Sequence, residues 1–243
     1  MSISTLILLA SLGPSKSLAV AGGGEQVVHY SAAPTQGDLV RQGLHPLVVL
    51  IRSDRHKAAT IEGLYHGLGI GGFHRLALAL PLDAPRARER IAQAVRYALK
   101  QPAVDPERVY LISAQELGVA AVAHAASTPD QVRGIVWLSP VLKAGKRSVL
   151  PLLSELTPQP ILLTADVRHR TSTSAVSTLK TVLKMRFPDV RRIRRARLGT
   201  GFDQLSASAT LTDQLVITLR TWAEKNCDRT APKKKTLNEG CKK

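Results

Sequence analysis

The chain is predicted to be α/β: a single domain with a mostly parallel central sheet and helices on both of its faces. Three observations carry this. From residue 44 onward, short apolar runs alternate with stretches of helical periodicity. The central runs, such as LVVLI at 47–51 and VYLI at 109–112, are apolar without interruption, as in strands covered on both sides. Finally, 243 residues with 44% hydrophobic residues suffice for one packed core and fall in the ordinary size range of a single α/β domain.

The elements follow in order. Residues 25–43 mix apolar pairs with Pro, Gly and polar residues and predict a short edge strand around Val27, then a loop. Strand 47–51 leads to a helix over 58–68, then to strand 75–80 (RLALAL), closed by Pro81. The next helix, 86–99, places Ile91, Ala94, Val95, Ala98 and Leu99 on one face. Strand 109–112, helix 116–126, strand 134–138, strand 161–164, helix 172–185, strand 190–196 and helix 211–225 complete the pattern. Gly67-Leu68-Gly69-Ile70-Gly71-Gly72 satisfies the G-x-G-x-x-G spacing of dinucleotide sites. Here it closes a helix and precedes a strand, the reverse of the required context, and reads as a C-terminal cap and turn.

Residues 1–21 have an apolar stretch from Ile3 to Leu12 and end in Ala19-Val20-Ala21, an A-x-A-like cleavage site without the usual basic start. A leader or signal peptide over 1–21 and export are therefore expected, with an apolar tail on a cytoplasmic chain as the alternative. The apolar stretch is too short for a transmembrane helix. The domain is assigned to 25–226, and 227–243 to a basic tail of disordered composition. Both cysteines, Cys227 and Cys241, lie in that tail, where export would permit a disulfide. They form no CxxC or Cys/His pattern, so neither metal nor cofactor is assigned.

The formal net charge is +16, yet residues 186–197 contribute +5 and residues 227–243 contribute +4. The remainder is only mildly basic. With 4% aromatics there is no stacking platform for single strands, and no nucleic-acid-binding motif is present. In RRIRRARL (191–198), alternation puts Arg191, Ile193, Arg195 and Arg197 on one side and Arg192, Arg194 and Ala196 on the other. So many guanidiniums cannot all be buried, which predicts an edge strand protected by charge, with anion binding as a further candidate role for these five arginines.

From residue 46 to 222 the order and wording of the elements resemble the α/β-hydrolase superfamily. QPAVDPERVYLIS resembles its approach to the nucleophile turn, GIVWLSP the following strand, PILLTADV the strand before the acid, and RLGTGF the strand end before the base. The resemblance implies a Ser, Asp or Glu, then His triad in that chain order, and this sequence departs from it at each position. Laying G-x-S-x-G on Ser113-Ala114-Gln115-Glu116-Leu117 puts Gln115 at the nucleophile position, and a primary amide is not activated by an imidazole. With Leu117 replacing the second small residue, the strained turn is expected to have relaxed. Ser113 reads as a small buried strand residue and Glu116 as the opening of the next helix.

The acid position falls in Asp166-Val167-Arg168-His169-Arg170, where basic residues replace the acidic cluster; Asp166 reads as a local ion-pair partner. Phe202 stands where the base belongs, and no histidine occurs from residue 170 to 243. The oxyanion loop is replaced by Arg52-Ser53-Asp54-Arg55-His56, charged and without glycine. Ligands of open α/β sheets bind at the carboxyl ends of the strands. Ser53, Asp54, His56, Gln115, Glu116 and His169 are therefore candidates for a remnant pocket rim. Of the other histidines, His124 falls inside a helix, where packing is the default.

The reading that follows is a hydrolase-fold chain without the triad, acting by binding or as a structural element toward an unidentified protein or anionic partner. The alternatives are an esterase or peptidase using other residues, and a binder of polyanions or anionic membrane surfaces.

Overall fold

A computed structural model of the chain describes residues 15–19, 25–34, 38–55, 57, 59–81, 86–187 and 189–229. Ten strands are present among them: β1 (Ser15–Ala19), β2 (Glu25–Ser31), β3 (His45–Ser53), β4 (His74–Leu80), β5 (Val104–Ala114), β6 (Val132–Leu138), β7 (Lys143–Ala144), β8 (Arg147–Ser148), β9 (Ile161–Asp166) and β10 (Val190–Arg195). The helices are α1 (Ala59–Ile70), α2 (Ala87–Leu99), α3 (Leu117–Ser127), α4 (Leu150–Glu155), α5 (Arg170–Lys184), α6 (Asp203–Ala207) and α7 (Ala209–Arg229).

Eight strands form one sheet in the order β1-β2-β4-β3-β5-β6-β9-β10, and β7 and β8 form a separate small hairpin. Within this sheet β2 runs antiparallel to β1 and β4, and the remaining pairings, from β4 across to β10, are parallel. The predicted α/β class with a mostly parallel sheet is the observed one. Consecutive side chains of the buried strands enter two separate cores, which explains why these strands are apolar at every position.

Val49, Ile51, Leu111 and Leu163 face α2, α3 and α5, which contribute Ile91, Val95, Val122, Val176 and Leu179. Val48, Leu50, Tyr110, Ile112 and Leu162 face α1 and α7, which contribute Leu64, Tyr65, Leu68, Leu215, Leu219 and Trp222. Helices thus cover both faces. Ile91, Ala94, Val95 and Ala98 of α2 are buried as their spacing predicts, while Leu99 is only half-buried.

The glycine series at 67–72 closes α1, with Gly71 N–H on Gly67 O and Phe73 N–H on Leu68 O. A Cβ at Gly69 would lie 2.3 Å from Arg75 Nη1, so the glycine there lets the guanidinium cross the helix. At the amino end of the sheet, the Arg108 guanidinium is 1% exposed. It binds Asp105 Oδ2 at 2.7 Å and donates to the carbonyls of Leu39 and Leu44, pinning the loop before β3 to the start of β5.

The predicted edge strand around Val27 is β2, but β1 pairs outside it, so β2 is not the edge. β1 falls within the span expected to be a leader, and the remainder of 1–21 lies outside the described residues. The helix α7 continues to Arg229, past the boundary placed at 226. Residues 230–243, with Cys241, lie outside the described residues, as do the side chain of Cys227 and residue His56. Among the described residues no helix is long and apolar enough to cross a membrane.

Candidate active-site region

The carboxyl ends of β3, β5, β6 and β9 lie along one edge of the sheet, as parallel pairing requires. At the end of β5 the chain turns directly into α3 through Gln115 and Glu116. Gln115 has φ +48°, the left-handed region that costs a non-glycine residue about 1–2 kcal/mol. The expectation of a relaxed turn is therefore corrected: the strained strand-to-helix geometry persists with glutamine at its apex.

Packing supplies the reason. The Gln115 N–H donates to Leu138 O at 2.9 Å, and Trp137 Nε1–H donates to Gln115 O at 2.8 Å. Gly118 lies against that indole, and a Cβ there would stand 1.9 Å from Trp137 Nε1. The small residue the turn needs is thus Gly118, one step later than the superfamily pattern places it.

Ser113 lies inside β5 with no exposure, and its Oγ has no hydrogen-bond partner among the described residues. Glu116 occupies the position before α3, half-buried and without a side-chain bond to the helix. Both placements follow the sequence reading, and the Ser113 hydroxyl is out of reach of solvent.

Asp166 ends β9, and here the ion-pair reading is corrected. Its carboxylate accepts the N–H of Arg168 at 2.9 Å and of Gly199 at 3.0 Å, and no arginine side chain pairs with it among the described residues. These amides, the Arg168 N–H foremost, hold the Asp166 carboxyl below its usual range. Arg168 and His169 are exposed. His169 Nδ1 shares a 2.8 Å hydrogen bond with Ser172 Oγ, and Ser172 is 1% exposed.

The loop after β10 puts Phe202 into the core beside Leu198 and Leu205, with no exposure. What the sequence reasoning missed sits beneath it. Ser139, following β6, has φ +49° and is buried. Its Oγ accepts the Gly201 N–H at 3.0 Å and Gln204 Nε2–H at 2.8 Å. The Thr164 hydroxyl donates to Gln204 Oε1, and Gln204 Nε2–H also reaches Gly199 O. Thus a closed network of neutral side chains ties the loop to β6 and β9. The available signal was partial: Ser139 after VWL and Thr164 within ILLTAD are polar residues in apolar runs, whereas Gln204 lies between Asp203 and Leu205-Ser206 and does not stand out.

At the end of β3, Ser53 is buried and its Oγ meets Asp54 Oδ1 and the Arg55 N–H, while Asp54 is exposed. Of the proposed rim, Ser53, Asp54, Gln115, Glu116 and His169 share this edge of the sheet, and His56 is outside the described residues. His124 is buried in α3, and neither ring nitrogen has a partner among the described residues. Burial lowers its pKa to about 4, so it packs as a neutral ring.

The basic segment is the terminal strand of the sheet, as its charge predicts. Arg192 and Arg194 lie beside Leu163 and Ala165, and Arg191 and Ile193 beside Leu162 and Thr164, in agreement with the alternation. Arg197 departs from it, because β10 ends at Arg195 and Arg197 turns with φ +63°. Arg191 pairs with Asp189 at 2.8 Å, and Arg195 donates to Gln214 Oε1; Arg192, Arg194 and Arg197 are exposed.

No protein-family model matches the sequence, and no curated protein matches it. Solved structures do match. Est1E from Butyrivibrio proteoclasticus aligns with TM-score 0.66 at 11% identity, over 89% of this chain and 100% of its own. The carboxylesterase EstE1 from a metagenomic library aligns with TM-score 0.65 at 13% identity, over 90% and 94%. S-formylglutathione hydrolase from Staphylococcus aureus aligns with TM-score 0.60 at 11% identity, over 86% and 95%. Identities this low speak to architecture alone. With the sheet order, the single antiparallel strand, the left-handed turn after β5 and near-complete coverage of these hydrolases, the chain has the α/β-hydrolase fold.

Proposed function

We propose that this chain uses the α/β-hydrolase fold to bind a partner at the carboxyl edge of its sheet rather than to hydrolyse esters or peptides through a triad. The observation that carries this reading is Gln115 at the apex of the left-handed turn, with Phe202 buried where a base would act. A carboxamide offers a hydrogen-bond donor and acceptor but no activated nucleophile. The exposed guanidiniums of Arg192, Arg194 and Arg197 make an anionic partner the natural complement of the adjoining sheet edge, an attraction that added salt would weaken.

The solved structures favour a second reading, a hydrolase working through other residues, because the proteins most like this one in architecture are named as esterases and hydrolases. The His169–Ser172 hydrogen bond is the pair that would have to supply base and nucleophile, and Ser172 would need α5 to open before it met substrate.

Hydrolysis of short-chain nitrophenyl esters by the purified chain, beside Ser113→Ala, Glu116→Ala and Ser172→Ala, separates the two. Equal background rates in all four support binding without triad chemistry. Turnover abolished in one variant overturns it and identifies the nucleophile.

A further inference from the structure

β10 is the last strand of the sheet, so one side of its backbone is open. In a parallel pair, alternate residues turn both N–H and C=O toward the same neighbour. Asp189 O accepts the Ile161 N–H and Arg195 O the Val167 N–H, each at 2.9 Å, so the odd-numbered residues face β9. Val190, Arg192 and Arg194 therefore turn their N–H and C=O outward, where no strand pairs with them among the described residues.

The side chains divide by the same alternation. Arg191 pairs with Asp189, Arg195 donates to Gln214 of α7, and Ile193 packs against the core on the α7 side. Val190 packs on the opposite side, and Arg192 and Arg194 share that side, exposed and without a side-chain partner among the described residues. The outward peptide groups and the uncommitted guanidiniums thus belong to the same two residues. A second copy of β10 is a poor occupant, because antiparallel pairing would set arginine against arginine, and like charges across a pair repel. Residues 1–14 carry no charge and residues 230–243 are basic, so neither end of the chain supplies the complement.

We propose that β10 is a docking edge for an acidic extended peptide of another molecule, which adds antiparallel as a ninth strand to the eight of the sheet. This rests on, and deepens, the reading that the arginine edge meets an anionic partner. Backbone hydrogen bonds to Arg192 and Arg194 hold the added strand, and carboxylates at two alternate positions lie directly opposite their guanidiniums. The residue between them falls opposite Ile193 and favours an apolar side chain. Exposed Ile217, one helical turn along α7 from Gln214, extends that apolar surface. A nucleic acid or a lipid headgroup would satisfy the guanidiniums but leave the outward peptide groups unmatched.

The test is titration of the ¹⁵N-labelled full chain with acetyl-Val-Thr-Glu-Val-Glu-Thr-Val-amide, followed at the backbone amides of Arg192 and Arg194 by chemical shift and hydrogen exchange. The same peptide N-methylated at both glutamates keeps the charge and removes the donors to Arg192 O and Arg194 O. An oligothymidylate of equal charge and phosphatidylglycerol vesicles stand for other anionic partners. Saturable shifts and slowed exchange at both amides, at least tenfold weaker binding of the N-methylated peptide, and loss of binding in Arg192→Glu/Arg194→Glu support the docking edge. So does binding regained by that variant when lysines replace the peptide's glutamates. Both positions are exposed, so the variant is expected to stay folded, and the wild-type titration decides without it. Equal affinity for the N-methylated peptide, or unchanged binding by the variant, overturns strand addition. A response to oligothymidylate or vesicles without one to the peptide overturns strand addition and leaves the anionic-partner reading standing; no response to any of them overturns both.

Discussion

Gly118→Ala probes the contact that holds the turn after β5. The added methyl would fall 1.9 Å from Nε1 and 2.1 Å from Cε2 of Trp137. That indole is 2% exposed and is anchored to Gln115 O, so it cannot withdraw without breaking its hydrogen bond. Overpacking of a filled core costs about 1–3 kcal/mol, and loss of the indole bond about 0.5–1.5 kcal/mol. Against these stands about 1 kcal/mol of helix propensity gained by replacing glycine. The net expectation is destabilisation by about 2 kcal/mol, a fall in Tm of roughly 4–8 °C for a chain of this size. Thermal unfolding by circular dichroism measures it, and indole fluorescence reports whether Trp137 has moved. An unchanged or higher Tm would refute the reasoning. So would an equal penalty for Gly118→Ala in a Trp137→Leu background, since leucine lacks Nε1 and Cε2 and should leave only the gain in propensity.

Two further expectations concern charge. Arg108→Met removes one of the two guanidiniums that hold buried Asp105 and the donors for Leu39 O and Leu44 O. Because Arg41 still pairs with Asp105 at 2.9 Å, the cost is expected to lie below the ~3–5 kcal/mol of a buried pair broken from one side, read as a lower denaturant midpoint with the slope unchanged, and Arg41→Met/Arg108→Met should reach that full cost. His124 is held neutral, with its pKa lowered from 6.5 to about 4 chiefly by burial, so the unfolded chain binds more protons than the folded one between these values. Its contribution is fully present above pH 6.5 and is lost as the pH falls toward 4, and His124→Leu should flatten the stability profile in that window. A profile in His124→Leu as steep as the wild type's would show that other groups carry the acid sensitivity; His74, also lowered to about 4 by burial, is the first to examine.

Much of the fold was legible because its signals are local. Uninterrupted apolar runs mark strands sandwiched between helices, and each central run became a strand within a few residues of its predicted ends. β1 escaped because SKSLA carries little hydrophobic pattern and exists as a strand only through pairing with β2. The hairpin β7–β8 is two residues a side, below what periodicity can register. Asp166 was misread for a related reason. The sequence shows two arginines beside it, whereas the backbone N–H of Gly199, 33 residues away, is one of the groups that bind it.

The turn at Gln115 separates what a fold requires from what a reaction requires. Its relaxation was expected on the premise that backbone strain lasts only while catalysis needs it. The structure supplies another support: Leu138 O fixes the amide of Gln115, Trp137 fixes its carbonyl, and Gly118 makes room for the indole. Trp137 lies 22 residues from Gln115, so no reading of the pentapeptide alone could foresee the clamp. A left-handed residue between β5 and α3 is therefore a consequence of how helix, strand and indole pack. Its presence carries no information about hydrolysis, and the chemistry of this edge must be argued from the side chains it displays: the carboxamide of Gln115, the half-buried carboxylate of Glu116 and the imidazole of His169.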